Sequence, residues 1–329
     1  MKMVRWGIIG CGEVTEVKSG PAFQIAEHSV LQAVMRRSGE LAKDYAERHQ
    51  VPEWFDKAEA IIHHPEIDAV YIATPPSSHM TYALMCAQAG KPVYVEKPMG
   101  MNSDECTEML RACKDAGTAL FVAYYRRALP KFIQIKEWVQ EGRIGEVCFV
   151  KATHYAPPSE EEKAGKAVSW RVDPALSGGG KFVDVASHTL DIFDFILGPI
   201  SKAQGVAANQ GGLYAADDIV SAQFTFESGV HGTGVWCFAS FDYYEMNEIV
   251  GSQGRILFST FGNEPVVLQT ESEKIEVQFE MPKHIQQPLI QSVVDELIGK
   301  GLSPSTGESA MRTNRVMDAI YGSSSILHD

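Results

Sequence analysis

The stretch GIIGCGEV, residues 7–14, decides the fold, because a glycine-rich turn stands directly between an apolar run and a helical pattern. Gly10 permits a tight turn, and Gly12 lets the backbone approach a pyrophosphate at the helix N-terminus. The other turn residues predicted to bind the nucleotide are Cys11, Glu13 and Val14. A third glycine is missing, since Thr15 occupies its place. Some methyltransferases share this shorter pattern, so the turn predicts a dinucleotide site only in its βαβ context.

Apolar runs alternate with helical patterns over the first 125 residues, as parallel strands joined by crossover helices do. Strands are predicted at residues 4–10, 31–35, 69–74, 92–96 and 119–125. Helices are predicted at residues 40–49, 79–90 and 104–117. The first helix is expected to break at Ser19, Gly20 and Pro21. Residues 1–125 are therefore predicted to form an α/β domain with a doubly wound parallel sheet.

The pattern changes after residue 125. A helix at 129–142 and a strand at 146–155 are followed by a polar loop and by a helix at 181–197. Residues 217–280 form a β meander with turn signals, which predicts a large open antiparallel or mixed sheet. Two helices, at 285–301 and 307–324, complete the pattern. Residues 126–329 are predicted to be an α+β domain for substrate binding and oligomerisation, whose last helix has the option of packing back on the first domain.

Composition excludes several classes of function. The formal net charge of −13 argues against a nucleic-acid or anionic-membrane surface. The six cysteines have no zinc-ligand spacing, so we expect no metal and a reducing, cytoplasmic location. No apolar run reaches the roughly 18 residues that a membrane helix needs, and the first residues lack the apolar run of a signal peptide.

The end of the second predicted strand bears on the choice of cofactor. An NAD site usually carries an acid there for the ribose 2′-hydroxyl, whereas arginine accommodates a 2′-phosphate. This chain has Arg36 and Arg37, and its next carboxylate is Glu40. The pattern favours NADP(H), with NAD(H) as the second option. The alternative is that both arginines are solvated charges at a strand end.

The sequence YVEKP, residues 94–98, places a lysine at the carboxyl edge of the predicted sheet, where open α/β sheets bind ligands. Taken alone, Lys97 is more typical of a surface lysine than of a catalytic one. The residues do not decide whether the bond from Lys97 to Pro98 is cis or trans.

Four motifs occur together and in a fixed order: GIIGCGEV, ATPPSSH (73–79), EKP (96–98) and GGGKFVDVASH (178–188). With them the whole chain resembles the Gfo/Idh/MocA family, named after glucose–fructose oxidoreductase, inositol dehydrogenase and the rhizopine-catabolism protein MocA. The resemblance implies a Rossmann domain, a second domain with a large open sheet, and NAD(P)-dependent oxidation or reduction of sugars, cyclic polyols or related compounds.

The resemblance also implies roles for individual residues. Lys97 is expected beside the nicotinamide, with Glu96 behind the cofactor site. The residues expected to line the cofactor after the fourth strand are Thr74, Pro75 and His79. The long charged loop between Tyr155 and Trp170 departs from the family pattern, so the identity of the substrate does not transfer.

Asp184 and His188 stand four positions apart on one face of the helix predicted at 181–197. An acid near a helix start and an exposed histidine are both ordinary surface features. Alcohol oxidation, however, needs a group that takes a proton as the hydride leaves, and histidine suits that task near neutrality. We predict that His188 is the acid/base, that Lys97 assists through charge and hydrogen bonding, and that Asp184 positions substrate hydroxyls. Asp191 is left open between orienting His188 and facing water.

The remaining expectations concern substrate and partners. Further residues expected to line the substrate pocket are Tyr125, Arg127, Trp170 and Arg171. The substrate is expected to be a sugar, polyol or diol. A homodimer or homotetramer is expected through the second sheet, whose free face would carry Val235, Trp236 and Phe238. A dinucleotide-binding sensor or scaffold without turnover is the alternative function, and a methyltransferase is a third that needs no EKP motif.

Overall fold

The computed structural model describes residues 3–165 and 169–322. The chain divides into two compact units by its internal contacts. The first contains the residues up to Leu129 together with Met281–Met311, and the second contains Pro130–Glu280 together with the helix residues from Arg312 onward. Each unit is built around one sheet.

The sheet of the first unit has six strands, all paired in parallel. Its strands are β1 (Val4–Ile9), β2 (Ser29–Met35), β3 (Glu53–Phe55), β4 (Ala69–Ile72), β5 (Val93–Val95) and β6 (Leu120–Val122). Their order in the sheet is β3-β2-β1-β4-β5-β6. This is the strand order of a dinucleotide-binding Rossmann domain, so the predicted doubly wound sheet is confirmed.

Helices connect these strands. They are α1 (Glu13–Val17), α2 (Gly20–Ile25), α3 (Gly39–His49), α4 (Ala58–Ile62), α5 (His79–Gln88) and α6 (Ser103–Asp115). The predicted break of the first helix is confirmed, because α1 ends before Ser19 and α2 restarts at Gly20. Gly90 and Gly117, just after α5 and α6, adopt φ angles of +70° and +66°, as glycine does at a helix end.

Apolar runs become strands in this unit because both faces of the sheet are covered. β4 is buried along its whole length, and so are β5 and β6. One cluster of buried aliphatic and sulfur-containing side chains joins Ile9 and Ile72 to α4, α5 and α6. The buried strands end at a common edge, where the functional motifs follow them.

The second unit begins with α7 (Pro130–Gln140) and β7 (Val147–Tyr155) and continues with three more helices. These are α8 (Glu160–Lys163), α9 (Pro174–Ser177) and α10 (Gly180–Leu197). Its other strands are β8 (Ile200–Ala208), β9 (Ile219–Phe226), β10 (His231–Cys237), β11 (Tyr244–Gly251), β12 (Gly254–Phe258), β13 (Val266–Thr270) and β14 (Lys274–Val277). Two last helices follow, α11 (Gln287–Leu297) and α12 (Gly307–Gly322), and the boundary between the units falls inside α12.

The eight strands of the second unit form one mixed sheet with the order β14-β13-β12-β11-β7-β10-β9-β8. β7 and β10 run parallel, and the other neighbours run antiparallel. Aromatic contacts such as Phe193 with Phe258, at 6.3 Å between ring centroids, pack α10 on one face of this sheet. The predicted open mixed sheet is therefore confirmed.

The prediction for the free face of this sheet is wrong in one respect. Side chains alternate along a strand, so Val235 and Trp236 of β10 point to opposite faces. Val235 is 43% exposed, whereas Trp236 and Phe238 are buried. Trp236 contacts Phe182 of α10 with ring centroids 5.3 Å apart, so it belongs to the core.

Candidate active site

The glycine turn after β1 has the geometry that a dinucleotide site requires. Gly10 has a φ of +94°, and a Cβ there would lie 2.7 Å from Cγ2 of Thr74 and 3.0 Å from the carbonyl carbon of Ala73. Gly12 has an ordinary φ of −141°. A Cβ on Gly12 would have only the carbonyl oxygen of Gly10 as a neighbour, at 3.8 Å. Gly10 is thus fixed by the protein around it, while Gly12 borders open space that a pyrophosphate can fill.

The position of the missing third glycine is filled by packing and hydrogen bonds. Thr15 is fully buried, and its hydroxyl donates to the Gly12 carbonyl at 2.8 Å. The Thr15 carbonyl accepts a hydrogen bond from the Tyr45 hydroxyl at 2.8 Å. A Cβ on Gly20 would collide with that hydroxyl and with the Thr15 carbonyl. Close packing of the first helix therefore depends on Gly20 at the start of α2, five residues beyond the expected place.

Arg36 and Arg37 lie exposed just after β2. Within residues 3–165 and 169–322, neither guanidinium forms an ion pair or a hydrogen bond. Cys11, in the glycine turn, is near enough for the charge of Arg36 to favour its thiolate, although burial dominates and raises the pKa of Cys11 to about 11. The other two turn residues also border solvent, Glu13 being exposed and Val14 half-buried. Both arginine side chains are thus available to an anion on this side of the turn.

The segment after β4 is tied to the EKP segment by a histidine. His79 is fully buried, with Nε2 2.7 Å from the Thr74 carbonyl oxygen and Nδ1 3.0 Å from the Pro98 carbonyl oxygen. Burial lowers the pKa of His79, and its contacts with the two carbonyl groups oppose that shift. The Thr74 hydroxyl accepts from Ser78 at 2.7 Å. Thr74 and Pro75 remain half-buried, whereas His79 supports this segment from inside.

Glu96 and Lys97 follow β5, and the peptide bond from Lys97 to Pro98 is cis. The Glu96 carboxylate is buried and accepts from the Tyr71 hydroxyl at 2.5 Å and from Nε2 of Gln286 at 2.7 Å. Its other oxygen accepts from the backbone N–H of Lys97 at 3.2 Å. Burial and the charge of Glu96 raise the pKa of Tyr71 well above its usual value, so Tyr71 stays a donor. Glu96 thus fixes the backbone from which the half-buried Lys97 side chain extends.

Tyr125 and Arg127 occupy a short 3-10 helix, Tyr125–Ala128, that follows β6. Both are buried, and Nη1 of Arg127 donates to the Pro304 carbonyl at 3.4 Å. Arg126, which the sequence did not single out, is also buried and lies over the Tyr125 ring at 4.7 Å. The structure brings these residues together within the first unit.

In the second unit, three successive glycines precede the acid–histidine pair. Gly178, Gly179 and Gly180 all have positive φ angles, of +80°, +147° and +78°. A Cβ on Gly179 would lie 2.6 Å from Cγ2 of Val183, and one on Gly180 would collide with Ala216. The glycines are therefore required by the backbone conformation and by close packing of protein on protein.

Asp184 is held by the loop that precedes α9. The Arg171 guanidinium pairs with it, with Nε 3.3 Å from Oδ2. The same guanidinium lies over the Trp170 ring, 4.8 Å from its centroid. The structure thus brings together three predicted residues, Trp170, Arg171 and Asp184, and leaves the Asp184 side chain 21% exposed.

His188 lies one turn further along α10 and is buried. Its ring contacts the edge of Phe261, with 5.7 Å between the centroids. Phe261 makes an equal contact of 5.7 Å with His154 of β7. Asp191 is also buried, with the Thr313 hydroxyl 3.4 Å from Oδ1, so it does not face water.

A buried carboxylate that the sequence did not single out holds Phe261 in place. Glu245 of β11 accepts from the backbone N–H groups of Thr260, at 2.8 Å, and Phe261, at 3.2 Å. It also accepts from Nδ2 of Asn247 at 2.9 Å and from the Ser259 hydroxyl. In the sequence, the only sign of this arrangement is one acidic residue on the inward-facing side of a strand. Its role cannot be inferred without the pairing of β11 with β12, which brings its partners close.

The part of the chain that the structure describes contains no set of side chains that could bind a metal ion. No three His, Cys, Asp or Glu side chains there are grouped so that they could hold an ion. In the same described part, no helix has the length and apolar character needed to span a membrane.

Comparisons with known proteins agree with this architecture. Residues 4–124 match the Gfo/Idh/MocA oxidoreductase family with its NAD-binding Rossmann fold, and residues 132–257 match the Gfo/Idh/MocA C-terminal domain. Oxidoreductase P35 of Formosa agariphila is 38% identical over 320 residues, which cover 97% of this chain and 98% of that protein. The 1,5-anhydro-D-fructose reductase of Ensifer adhaerens is 25% identical over 321 residues, covering 94% and 92% of the two chains.

A solved structure of levoglucosan dehydrogenase, in complex with NADH and levoglucosan, superposes with a TM-score of 0.86 at 23% identity. The match covers 98% of this chain and 97% of that chain, and it shows that the fold is shared. Both sheets, both matched regions and a relative of nearly equal length lead to one conclusion. The chain belongs to the Gfo/Idh/MocA family of NAD(P)-dependent oxidoreductases.

Proposed function

We propose that this oxidoreductase transfers a hydride between NADP(H) and a sugar, polyol or diol, the first unit binding the cofactor and the second the substrate. The observation that carries the proposal is the presence of Lys97, Asp184 and His188 in a chain of this family. A sensor without turnover has no chemical need for all three side chains.

The residues of the glycine turn fit the cofactor, because the space beside Gly12 is open and Arg36 and Arg37 are available to an anion. Thr74 and Pro75 would border it after β4, and Glu96 would fix the neighbouring backbone. When bound, the nicotinamide supplies the centre that accepts or gives the hydride.

The chain's own residues handle the proton and the oxygen charge. His188 takes the hydroxyl proton in the oxidation and returns it in the reduction. The Lys97 ammonium stabilises negative charge that develops on the same oxygen. Asp184, oriented by Arg171, accepts hydrogen bonds from neighbouring hydroxyl groups of the substrate.

The names of two relatives support the substrate class. One is a 1,5-anhydro-D-fructose reductase and another a levoglucosan dehydrogenase, and both names denote sugar derivatives. We infer the preference for NADP(H) from Arg36 and Arg37 alone. The solved levoglucosan dehydrogenase complex contains NADH. We therefore expect kcat/KM with NADPH to exceed that with NADH, and we expect Arg37→Asp to reverse that order.

The test is turnover with a panel of sugars, polyols and diols, followed by cofactor absorbance at 340 nm. His188→Ala should lower kcat by about 10²–10⁴-fold, as removal of a general acid/base does. Binding of the cofactor without turnover of any panel member would support the sensor instead. A His188→Ala variant that keeps more than a tenth of the wild-type kcat would remove His188 from the acid/base role.

We also infer that two copies associate through the free face of the second sheet. Val235 and Val206 are exposed there, at 43% and 63%, and lie in one cross-strand row, because both pair with Ser221 of β9. Tyr155 stacks on Tyr244 with 5.4 Å between centroids. Apolar side chains on an open sheet are costly in water unless covered. Light scattering should show a dimer or tetramer that Val235→Glu dissociates, and a monomeric wild type would refute the inference. We also infer a reducing, cytoplasmic location, because none of the six cysteines, all of which lie in the described residues, is in a disulfide.

A further inference from the structure

We propose that Glu162 and Lys181 determine substrate specificity by holding the segment Pro157–Gly165 on the first turn of α10. This rests on the proposed function, which places the substrate at Asp184 and His188. The segment belongs to the charged loop that departs from the family pattern.

Glu162 makes two kinds of contact at once. One oxygen, Oε2, accepts from the backbone N–H of Ser159 at 2.8 Å, while the Ser159 hydroxyl accepts from the Glu162 N–H at 3.2 Å. The same Oε2 accepts from Nζ of Lys181 at 2.7 Å. Glu162 therefore both completes the capping box at the N-terminus of α8 and links α8 to α10 through Lys181.

Lys181 is enclosed on its other sides by aromatic rings. Its ammonium lies 5.3 Å from the centroid of Tyr214 and 5.9 Å from that of Phe238. The side chains of Glu162 and Lys181 are only 9% and 20% exposed. A shielded ion pair with cation–π contacts holds its partners more firmly than a solvated pair does.

The position of this ion pair on α10 connects it to the substrate. Lys181, Asp184 and His188 stand at i, i+3 and i+7, so they share one face of the helix. Glu162 binds the first of them and Arg171 binds the second, in chain order. The segment Pro157–Gly165 is therefore attached at one end of the face that carries the acid–histidine pair, where it forms a wall against a bound sugar.

A matched control is present in the same short helix. Glu160 and Lys163 of α8 form an ion pair of 2.8 Å, but their side chains are 89% and 48% exposed. Both pairs involve residues of one four-residue helix, and only one reaches α10. Breaking the exposed pair should leave the segment in place, since solvated pairs contribute little.

The experiment compares Glu162→Gln, Lys181→Met, the charge swap E162K/K181E and the control Glu160→Gln in the full-length protein. Hydrogen exchange of peptides covering residues 157–165 measures attachment, and KM and kcat with the best panel substrate measure its effect. We expect exchange to accelerate on the order of tenfold in the two single variants, with KM raised at least fivefold and kcat within twofold. The charge swap should recover part of both changes, and E160Q should match the wild type.

Two outcomes overturn the inference. Exchange of the segment that is equally slow in E162Q, K181M and E160Q would show that the pair does not hold it. Faster exchange without any change in KM would show that the segment has no part in substrate recognition. If the wild type turns over no substrate, the proposed function fails on its own, and the exchange comparison still decides whether Glu162 and Lys181 attach the segment.

Discussion

Gly10 and Gly12 of the first turn are expected to be needed for different reasons, Gly10 for the stability of the fold and Gly12 for cofactor binding. Alanine substitution at each position tests this difference. In Gly10→Ala the new methyl meets Cγ2 of Thr74 at 2.7 Å and the Ala73 carbonyl oxygen at 3.1 Å, on a backbone with φ of +94°. The positive φ costs about 1–2 kcal/mol and the overpacking about 1–3 kcal/mol. We expect the free energy of unfolding, measured by urea titration, to fall by about 2–5 kcal/mol.

Gly12→Ala should behave in the opposite way. Its φ of −141° suits alanine, and the nearest atom to the new methyl is 3.8 Å away. Stability should therefore change by less than about 0.5 kcal/mol. The methyl enters the space that a pyrophosphate would occupy, so Kd for NADPH should rise at least about tenfold, or roughly 1.4 kcal/mol. Fluorescence titration measures this Kd, and an unchanged Kd in G12A would refute the assignment of the turn to the cofactor.

Three further predictions concern single groups. Gly180→Ala should destabilise the protein by about 2–5 kcal/mol in urea unfolding, because its φ is +78° and the methyl collides with Ala216. An unchanged free energy of unfolding would contradict this account of the packing. Glu245→Gln should cost about 3 kcal/mol by the same measurement, since an amide cannot accept all four hydrogen bonds, whereas Glu248→Gln on the same strand should cost less than about 0.5 kcal/mol. Arg48 lowers the pKa of Glu16 to about 2, so the wild type should be more stable than Glu16→Gln by about 1 kcal/mol for this partly exposed pair. This difference in the free energy of unfolding should be complete above pH 4.5 and should shrink as the pH falls toward 2. A difference that does not change with pH would refute the prediction.

Apolar runs in the sequence predict the strands that are long and buried. They do not predict strands that form mainly because they pair with a neighbouring strand. Five of the six parallel strands are readable as apolar runs, but β3 has only three residues and is partly exposed. β8 was likewise missed, because its residues alternate between exposed and half-buried positions and include a glycine. Pairing with β9 makes ISKAQGVAA a strand, and pairing is not visible in a nine-residue stretch.

The candidate site divides along the same line. The resemblance to the family, carried by motifs in a fixed order along the chain, is what makes Lys97, Arg171 and Asp184 candidates. The motifs cannot identify Gln286, which contacts Glu96 across 190 positions of sequence, or Glu245, three of whose four partners lie 14 to 16 residues ahead. These residues hold others in place, and such a role depends on three-dimensional contacts.

The bond between Glu96 and Gln286 has a consequence for biosynthesis. Nε2 of Gln286 donates to Glu96, and its Oε1 accepts from the Tyr94 hydroxyl at 3.0 Å, so the acid after β5 receives one of its partners from a residue that is synthesised 190 positions later. The helix that follows, α11, contributes four fully buried apolar side chains to the same unit. A nascent chain that has emerged only as far as residue 280 therefore has all six strands of the first unit but lacks Gln286 and the buried face of α11. The apolar surface that α11 would cover is then exposed and favours aggregation until this helix has been synthesised.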